Sequence, residues 1–199
     1  SKRFPIEDIA RAYDCGIRHF GENRVQELLE KMAQWETSFP DQPVTWHMVG
    51  HLQRNKAGAV VDRGPMFHGL DSLRLAEAVN RAALNKGIVF PCLVQVNVSG
   101  EESKFGFDEN DVDAALAELK ALEALSVRGM MTLARPVLDP EEVRPELAKL
   151  RSLFVRNQTL FDNQLSVLSM GMSGDFEVAI EEGSTHIRLG TVIFGDRPD

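Results

Sequence analysis

Hydrophobic positions along this chain switch between two periods, and the switching divides it into elements. Ile6, Ile9, Ala10 and Tyr13 recur at the i, i+3, i+4, i+7 spacing of an amphipathic helix. Pro5 stands at its start, Glu7 and Asp8 fill its first turn, and Gly16 can end it. A short strand at 18–22 follows, then a helical stripe at Val25, Leu28, Leu29 and Met32. The pattern predicts further strands over 44–49, 66–70, 89–98, 127–133, 165–170 and 185–189. Helices fall between them, over 52–61, 75–83 with Gly87 as the stop, 112–119, 140–161 and 175–182. The run 89–98 is almost continuously apolar, as a strand covered on both faces requires.

Seven strands alternating with seven helices over short connections imply a parallel sheet with right-handed crossovers. With Ser1-Lys2 taken as the end of a truncated first strand the count becomes eight, and eight β/α units make a TIM barrel. The expected fold is therefore α/β, a single (β/α)8-type barrel forming one domain over residues 1–199. The competing architecture is an open doubly wound sheet, for which no GxGxxG turn follows an early strand.

Composition excludes several partners. With 22 Lys+Arg against 30 Asp+Glu the formal charge is -8, which argues against nucleic acid, whose phosphates need a basic surface. A local positive pocket for a small anion remains compatible with that balance. Cys15 and Cys92 are far apart and lack CxxC spacing, so neither a disulfide framework nor a zinc cluster is expected, in keeping with a cytoplasmic protein. No apolar run is long enough for a membrane span. No apolar stripe is left over once the helices are assigned, so a monomer is expected.

Barrel chemistry sits at the carboxyl ends of strands. The polar residues that fall there are Lys2, Glu22-Asn23, His47, Asp71-Ser72, Asn97, Ser173, Arg188 and Gly190-Thr191. Several have plain structural uses. Asn23 with Gln26 resembles a capping box, and Ser72 reads as a helix N-cap. His47 and His51 lack the HExxH context of a metal site. Ser173 and Gly190-Thr191 follow the last two strands, the recurrent phosphate position of this fold, where glycine lets an anion approach the backbone. A phosphate grip beside a strand-end lysine suggests a phosphorylated aldehyde, because a lysine amine condenses with aldehydes.

The stretches GENRVQE at 21–27, WHMVGHLQRNK at 46–56, QVNVSGEESKFGF at 95–107, RGMMTL at 128–133, LSMGMSGDFEVAI at 168–180 and GSTHIRLGTVIFGDR at 183–197 carry a resemblance, together with Ser1-Lys2. In that order they resemble the pyridoxal 5′-phosphate homeostasis proteins (the proline synthetase co-transcribed family), relatives of the N-terminal barrel of alanine racemase. The resemblance implies a cytoplasmic protein that holds pyridoxal 5′-phosphate as a Lys2 aldimine without established turnover. It implies pyridoxal-phosphate-dependent apo-enzymes as partners. By the same resemblance Ser173, with the backbone of Gly190 and Thr191, holds the phosphate, Arg188 faces the pyridine nitrogen, and Asn23 lies near the ring. His47 and Lys104 match positions near the pocket. Family members usually carry a helix and most of a strand before this lysine. The alternatives are a single-domain amino-acid racemase and a class I aldolase. A racemase of the alanine type needs a tyrosine base from a second domain, and Tyr13 lies on the first helix.

Overall fold

The computed structural model describes residues 1–101, 104–162 and 164–196. Eight strands form one sheet: β1 (His19–Glu22), β2 (Thr45–Met48), β3 (Met66–Leu70), β4 (Phe90–Asn97), β5 (Phe107–Asp108), β6 (Leu125–Met131), β7 (Val167–Met172) and β8 (His186–Arg188). Every pairing is parallel, in the order β1-β2-β3-β4-β6-β7-β8, with the two-residue β5 set beside β4. The sheet curls until its ends almost meet, bringing the rings of His19 on β1 and His186 on β8 to 6.4 Å. The expected barrel architecture is thus present. No ladder joins β8 to β1 among the described residues; on the outer side of β1 the Ser1 nitrogen donates to the Gly21 carbonyl at 2.9 Å.

Helices α1 (Ile6–Asp14), α2 (Val25–Ser38), α3 (Ala57–Arg63), α4 (Leu73–Lys86), α5 (Val112–Lys120), α6 (Arg144–Arg156), α7 (Phe176–Glu181) and α8 (Thr191–Phe194) connect the strands. The alternation of strand side chains divides the interior. Phe20 and Trp46 pair across β1 and β2 and point outwards, packing with Trp35 of α2 at ring separations of 6.2 and 6.5 Å. His19 and His47, one residue away on each strand, point into the barrel.

End signals act locally as the sequence dictates. Ser72 Oγ accepts from the Leu75 N–H at 3.4 Å and caps α4, which Gly87 ends in the left-handed region at φ +65°. The helix expected over 140–161 is divided. Asp139 Oδ1 accepts from the Glu141 N–H and caps a 3-10 turn over Pro140–Val143, and α6 begins afresh with Pro145 in its first turn. Proline has no N–H to give, so it belongs at a helix start. The helix expected from residue 52 begins only at Ala57, after a 3-10 turn over Arg54–Lys56. Both β5 and α8 are additions to the expected list.

A close approach at the mouth fixes β2 against β1. A Cβ at Gly50 would stand 2.2 Å from the Asn23 carbonyl oxygen, which belongs to backbone. Gly50→Ala should therefore displace the β1 end and lower stability by about 1–3 kcal/mol, read by urea unfolding. An unchanged midpoint would show that this contact yields freely.

Candidate functional site: the mouth of the barrel

Lys2 is presented by a pinned turn. The Phe4 N–H donates to the Ser1 carbonyl at 3.0 Å, and Arg3 takes a left-handed φ of +68°. Such a backbone is unfavourable for an L-residue, and it is held by the Arg3 N–H donating to Glu27 Oε1 at 2.6 Å. Lys31 Nζ lies beneath, donating to the Ser1 carbonyl, Glu22 Oε1 and Glu27 Oε1, each at 2.7 Å. Glu22 closes β1 fully buried, and its Oε2 has no hydrogen-bond partner among the described residues. The rest of this cluster commits its polar atoms to the turn that carries Lys2.

Asn23 follows on the mouth side. The capping expectation fails here, because Arg24, in extended backbone, is the residue that precedes α2, and no side chain caps it. The buried Asn23 Oδ1 is left without a partner among the described residues. A buried acceptor with no partner is costly in the absence of a ligand.

On the β7–β8 side of the mouth, the Gly190 N–H donates to Ser173 Oγ at 3.1 Å, so the two expected parts of an anion grip are in contact. A Cβ at either Gly174 or Gly190 would meet nothing within 4 Å, so the space above Ser173 is open. Thr191 begins α8, where the first backbone N–H groups lack helical partners. Arg188 points inwards from the end of β8. Its Nη1 donates to Ser169 Oγ and its Nη2 to the Thr132 carbonyl, both at 2.7 Å. Burial lowers the guanidinium to about 10, opposed by the nearby Asp175 carboxylate. It remains a cation that can only donate.

His47 is placed differently from the other expected residues. Its ring nitrogens are taken by His19 at 2.9 Å and His68 at 2.8 Å, in the barrel interior below the mouth. It therefore reaches the site through other side chains. His51 goes to the rim, where its Nδ1 meets Asp71 Oδ2 at 2.6 Å and its ring stacks on Phe105 at 3.9 Å. A cavity of about 380 Å³ opens there, lined by His51, Arg54, Asp71, Ser72 and Arg74 among others. Lys104 pairs with Glu101 at 2.8 Å in the loop after β4. Glu102, Ser103 and Arg197, which belong to two of the resembling stretches, lie outside the described residues.

Sequence reading missed Ser169, Thr132, His19, His68 and His186. The available signal was their alternation: each histidine occupies an expected strand, and Ser169 and His186 pair across β7 and β8. Among the described residues no group of three or more His, Cys, Asp or Glu could hold a metal ion, and no helix is long and apolar enough to cross a membrane.

The architecture and mouth define a barrel of the kind seen in fold-type relatives of alanine racemase. The sequence profile described as alanine racemase, N-terminal domain, matches residues 2–198. The chain is 41% identical over 197 residues to a pyridoxal phosphate homeostasis protein of Aquifex aeolicus, covering 99% of this chain and 85% of that one. A solved structure of PipY from Synechococcus elongatus, with pyridoxal phosphate bound, is 39% identical with a TM-score of 0.88, covering 98% of this chain and 90% of that one. An alanine racemase of Clostridium difficile shares the fold at TM-score 0.79 and 14% identity, covering 98% of this chain and 51% of its own. The chain therefore belongs to the alanine racemase N-terminal domain family and, within it, to the pyridoxal phosphate homeostasis proteins.

Proposed function

We propose that this protein binds pyridoxal 5′-phosphate at the barrel mouth and takes part in its homeostasis in the cytoplasm, as a carrier without turnover of its own. What supports the reading is the Ser173–Gly190 contact and the half-buried, inward-pointing Arg188 at the mouth, with Lys2 carried on the turn beside β1. The residues fit the group. Open space above Gly174 and Gly190 leaves room for a phosphate, and Asn23 Oδ1 awaits a partner. When bound, the cofactor supplies an aldehyde that an amine can attack and an electron-withdrawing pyridine ring.

On this reading Lys2 holds the cofactor covalently through its amine, and Glu27 and Lys31 hold the turn that aims it. Ser173 Oγ and the backbone of Gly190 and Thr191 grip the phosphate. Arg188 donates to the pyridine nitrogen, and its fixed positive charge opposes protonation there. A ring kept unprotonated withdraws electrons weakly, which disfavours carbanion chemistry. Tyr13, the single tyrosine, is in the outer layer, with its ring under the Arg18 guanidinium at 3.6 Å and 5.6 Å from Trp35. It does not supply a second base at the mouth. The recipients of the cofactor on this reading are pyridoxal-phosphate-dependent apo-enzymes.

The test is the visible spectrum of the protein loaded with pyridoxal phosphate, followed by borohydride reduction and mass spectrometry. An imine band and a reduced adduct on Lys2 are expected, with no racemisation of added alanine above that of the free cofactor. An adduct on Lys104 would overturn the Lys2 assignment, and turnover on the order of 1 s⁻¹ or faster would overturn the carrier. Ser173→Ala should weaken retention roughly ten- to hundredfold, since a hydrogen bond to a charged group contributes about 1.5–3 kcal/mol. Pyridoxal lacking the phosphate should be much less affected, and equal losses for both ligands would remove Ser173 from the phosphate grip.

A further inference from the structure

Arg188 is aimed by two oxygens to which the proposed function gives no part. Its Nη1 donates to Ser169 Oγ and its Nη2 to the Thr132 carbonyl, both at 2.7 Å. Ser169 lies on β7 and Thr132 directly follows β6, and both are fully buried. Thr132 is fixed in turn, since its N–H donates to the Ser169 carbonyl at 3.1 Å and its Oγ1 to the Val96 carbonyl at 2.8 Å. Among the described residues no carboxylate pairs with Arg188, and the nearby Asp175 has its Oδ1 on the Met172 N–H. The guanidinium is therefore held by neutral oxygens at both ends of its fork, and its remaining N–H donors stay uncommitted.

Behind Ser169 runs a file of histidines that settles which way its hydroxyl points. Ser169 Oγ meets His68 Nδ1 at 3.0 Å, His68 Nε2 meets His47 Nδ1 at 2.8 Å, and His47 Nε2 meets His19 Nδ1 at 2.9 Å. Burial, with neighbouring positive groups, lowers His47 to about 4 and His68 to about 2, so both are neutral at pH 7. Arg188 can only donate, so Ser169 Oγ accepts from it. If His68 Nδ1 also donated to that oxygen, the serine's own hydrogen would have no acceptor among the described residues, at a fully buried site. The satisfied arrangement is the other one. Ser169 gives its hydrogen to His68 Nδ1, His68 gives its Nε2 hydrogen to His47, and His47 gives its Nε2 hydrogen to the exposed His19. A hydroxyl that gives its hydrogen away along such a chain becomes the better acceptor.

We propose that Ser169 is a positioning residue for Arg188, its hydroxyl turned by the histidine file so that it only accepts from the guanidinium, and that this lock makes the mouth select ligands whose ring nitrogen is an unprotonated acceptor. The inference rests on the reading in which Arg188 faces the pyridine nitrogen of the cofactor. A loosely held guanidinium turns away from a poor partner towards water. One tied at both terminal nitrogens keeps its place, so a ligand with a C–H where the nitrogen belongs leaves a desolvated donor unpaired. A protonated ring nitrogen fares no better, because it sets N–H against N–H and one positive charge against another.

The test compares equilibrium binding of pyridoxal 5′-phosphate to the full chain with that of its 1-deaza analogue, which carries C–H in place of the ring nitrogen at nearly the same shape. The unaltered protein should hold the analogue roughly ten- to hundredfold more weakly, as loss of a hydrogen bond from a charged donor implies. Ser169→Ala, fully buried and out of the ligand's reach, should cut that ratio to about threefold or less. A merely structural loss would weaken both ligands alike and leave the ratio intact. Ser126→Ala, the same change near the amino-terminal end of β6, should keep the full ratio. In ¹⁵N-histidine NMR of the unaltered chain without cofactor at pH 7, His68 and His47 should carry hydrogen on Nε2, a measurement that stands even if a variant folds poorly. An unchanged ratio in Ser169→Ala, or a hydrogen on Nδ1 of His68, would overturn the positioning role. Equal affinity of the unaltered protein for the two ligands would overturn the selection and leave the carrier standing, whereas binding of neither would overturn the proposed function itself.

Discussion

Lys31→Met should cost about 3–5 kcal/mol of stability, because it removes one partner of a buried ion pair and leaves the other charged. Glu22 is fully buried and Lys31 nearly so, with Nζ and Oε1 2.7 Å apart. Glu22 Oε2 has no partner to compensate among the described residues, so the loss falls on a carboxylate already half satisfied. The exposed pair of Arg11 and Asp8 provides the comparison. Solvent screens it, and Arg11→Met should change stability by no more than about 0.5 kcal/mol. Urea unfolding of the two variants measures the contrast. Lys31→Met should also loosen the turn carrying Lys2, since Lys31 Nζ holds the Ser1 carbonyl. Faster loss of the borohydride-trappable adduct would record that, and equal effects of the two variants on stability would refute the buried-pair account.

Acid should unfold this protein earlier than its carboxylates require. His47 and His68 sit at about 4 and about 2 in the folded chain, chiefly through burial, against about 6.5 when unfolded. A histidine with a lowered folded value binds more protons when unfolded, so stability falls as pH drops below about 6.5. Each histidine contributes a loss of about 2 kcal/mol between pH 7 and pH 5, about 4 kcal/mol for the two. His186, also lowered by burial and by His19, adds in the same direction. Urea midpoints at pH 7, 6 and 5 test this, and His68→Gln should reduce the slope by about 1.4 kcal/mol per pH unit below about pH 6. A flat stability between pH 7 and 5 would mean that the interior histidines accept protons without cost.

The barrel was legible because its information is local. The apolar run at 89–98 and the stops at Gly16 and Gly87 depend only on near neighbours, and they mark β4, α1 and α4 correctly. Pro145 was equally visible, but the apolar face through Val143, Leu147, Leu150 and Phe154 continues across it and conceals the break. β5, with two residues, and α8, with four, are shorter than any periodicity can register. In the site, Ser173 and Gly190 could be placed by strand order alone, and their hydrogen bond joins them. The histidine file was not legible in the same way. His47 draws attention beside His51, four residues on, yet its partners are 28 residues back and 21 ahead. The parallel pairing of β1, β2 and β3, not any nearness in sequence, puts them in line.

That curvature leaves a seam, since β8 and β1 face each other without a ladder among the described residues. Lys2 sits on one side of it, and Ser173 and Gly190 on the other. Phe4 stacks on Phe194 at 4.9 Å across it, an apolar clasp. On the proposed function, a molecule held at once by Lys2 and by Ser173 and Gly190 would be a rivet through that joint. Loading then acts as a mechanical closure as well as a chemical one, with about 2.7 kcal/mol of added stability at a free ligand concentration of about a hundred times Kd. The gain should concentrate in slowed amide exchange along β1 and β8. Release of the cargo would accordingly leave its mark on the carrier as a barrel breathing along one line.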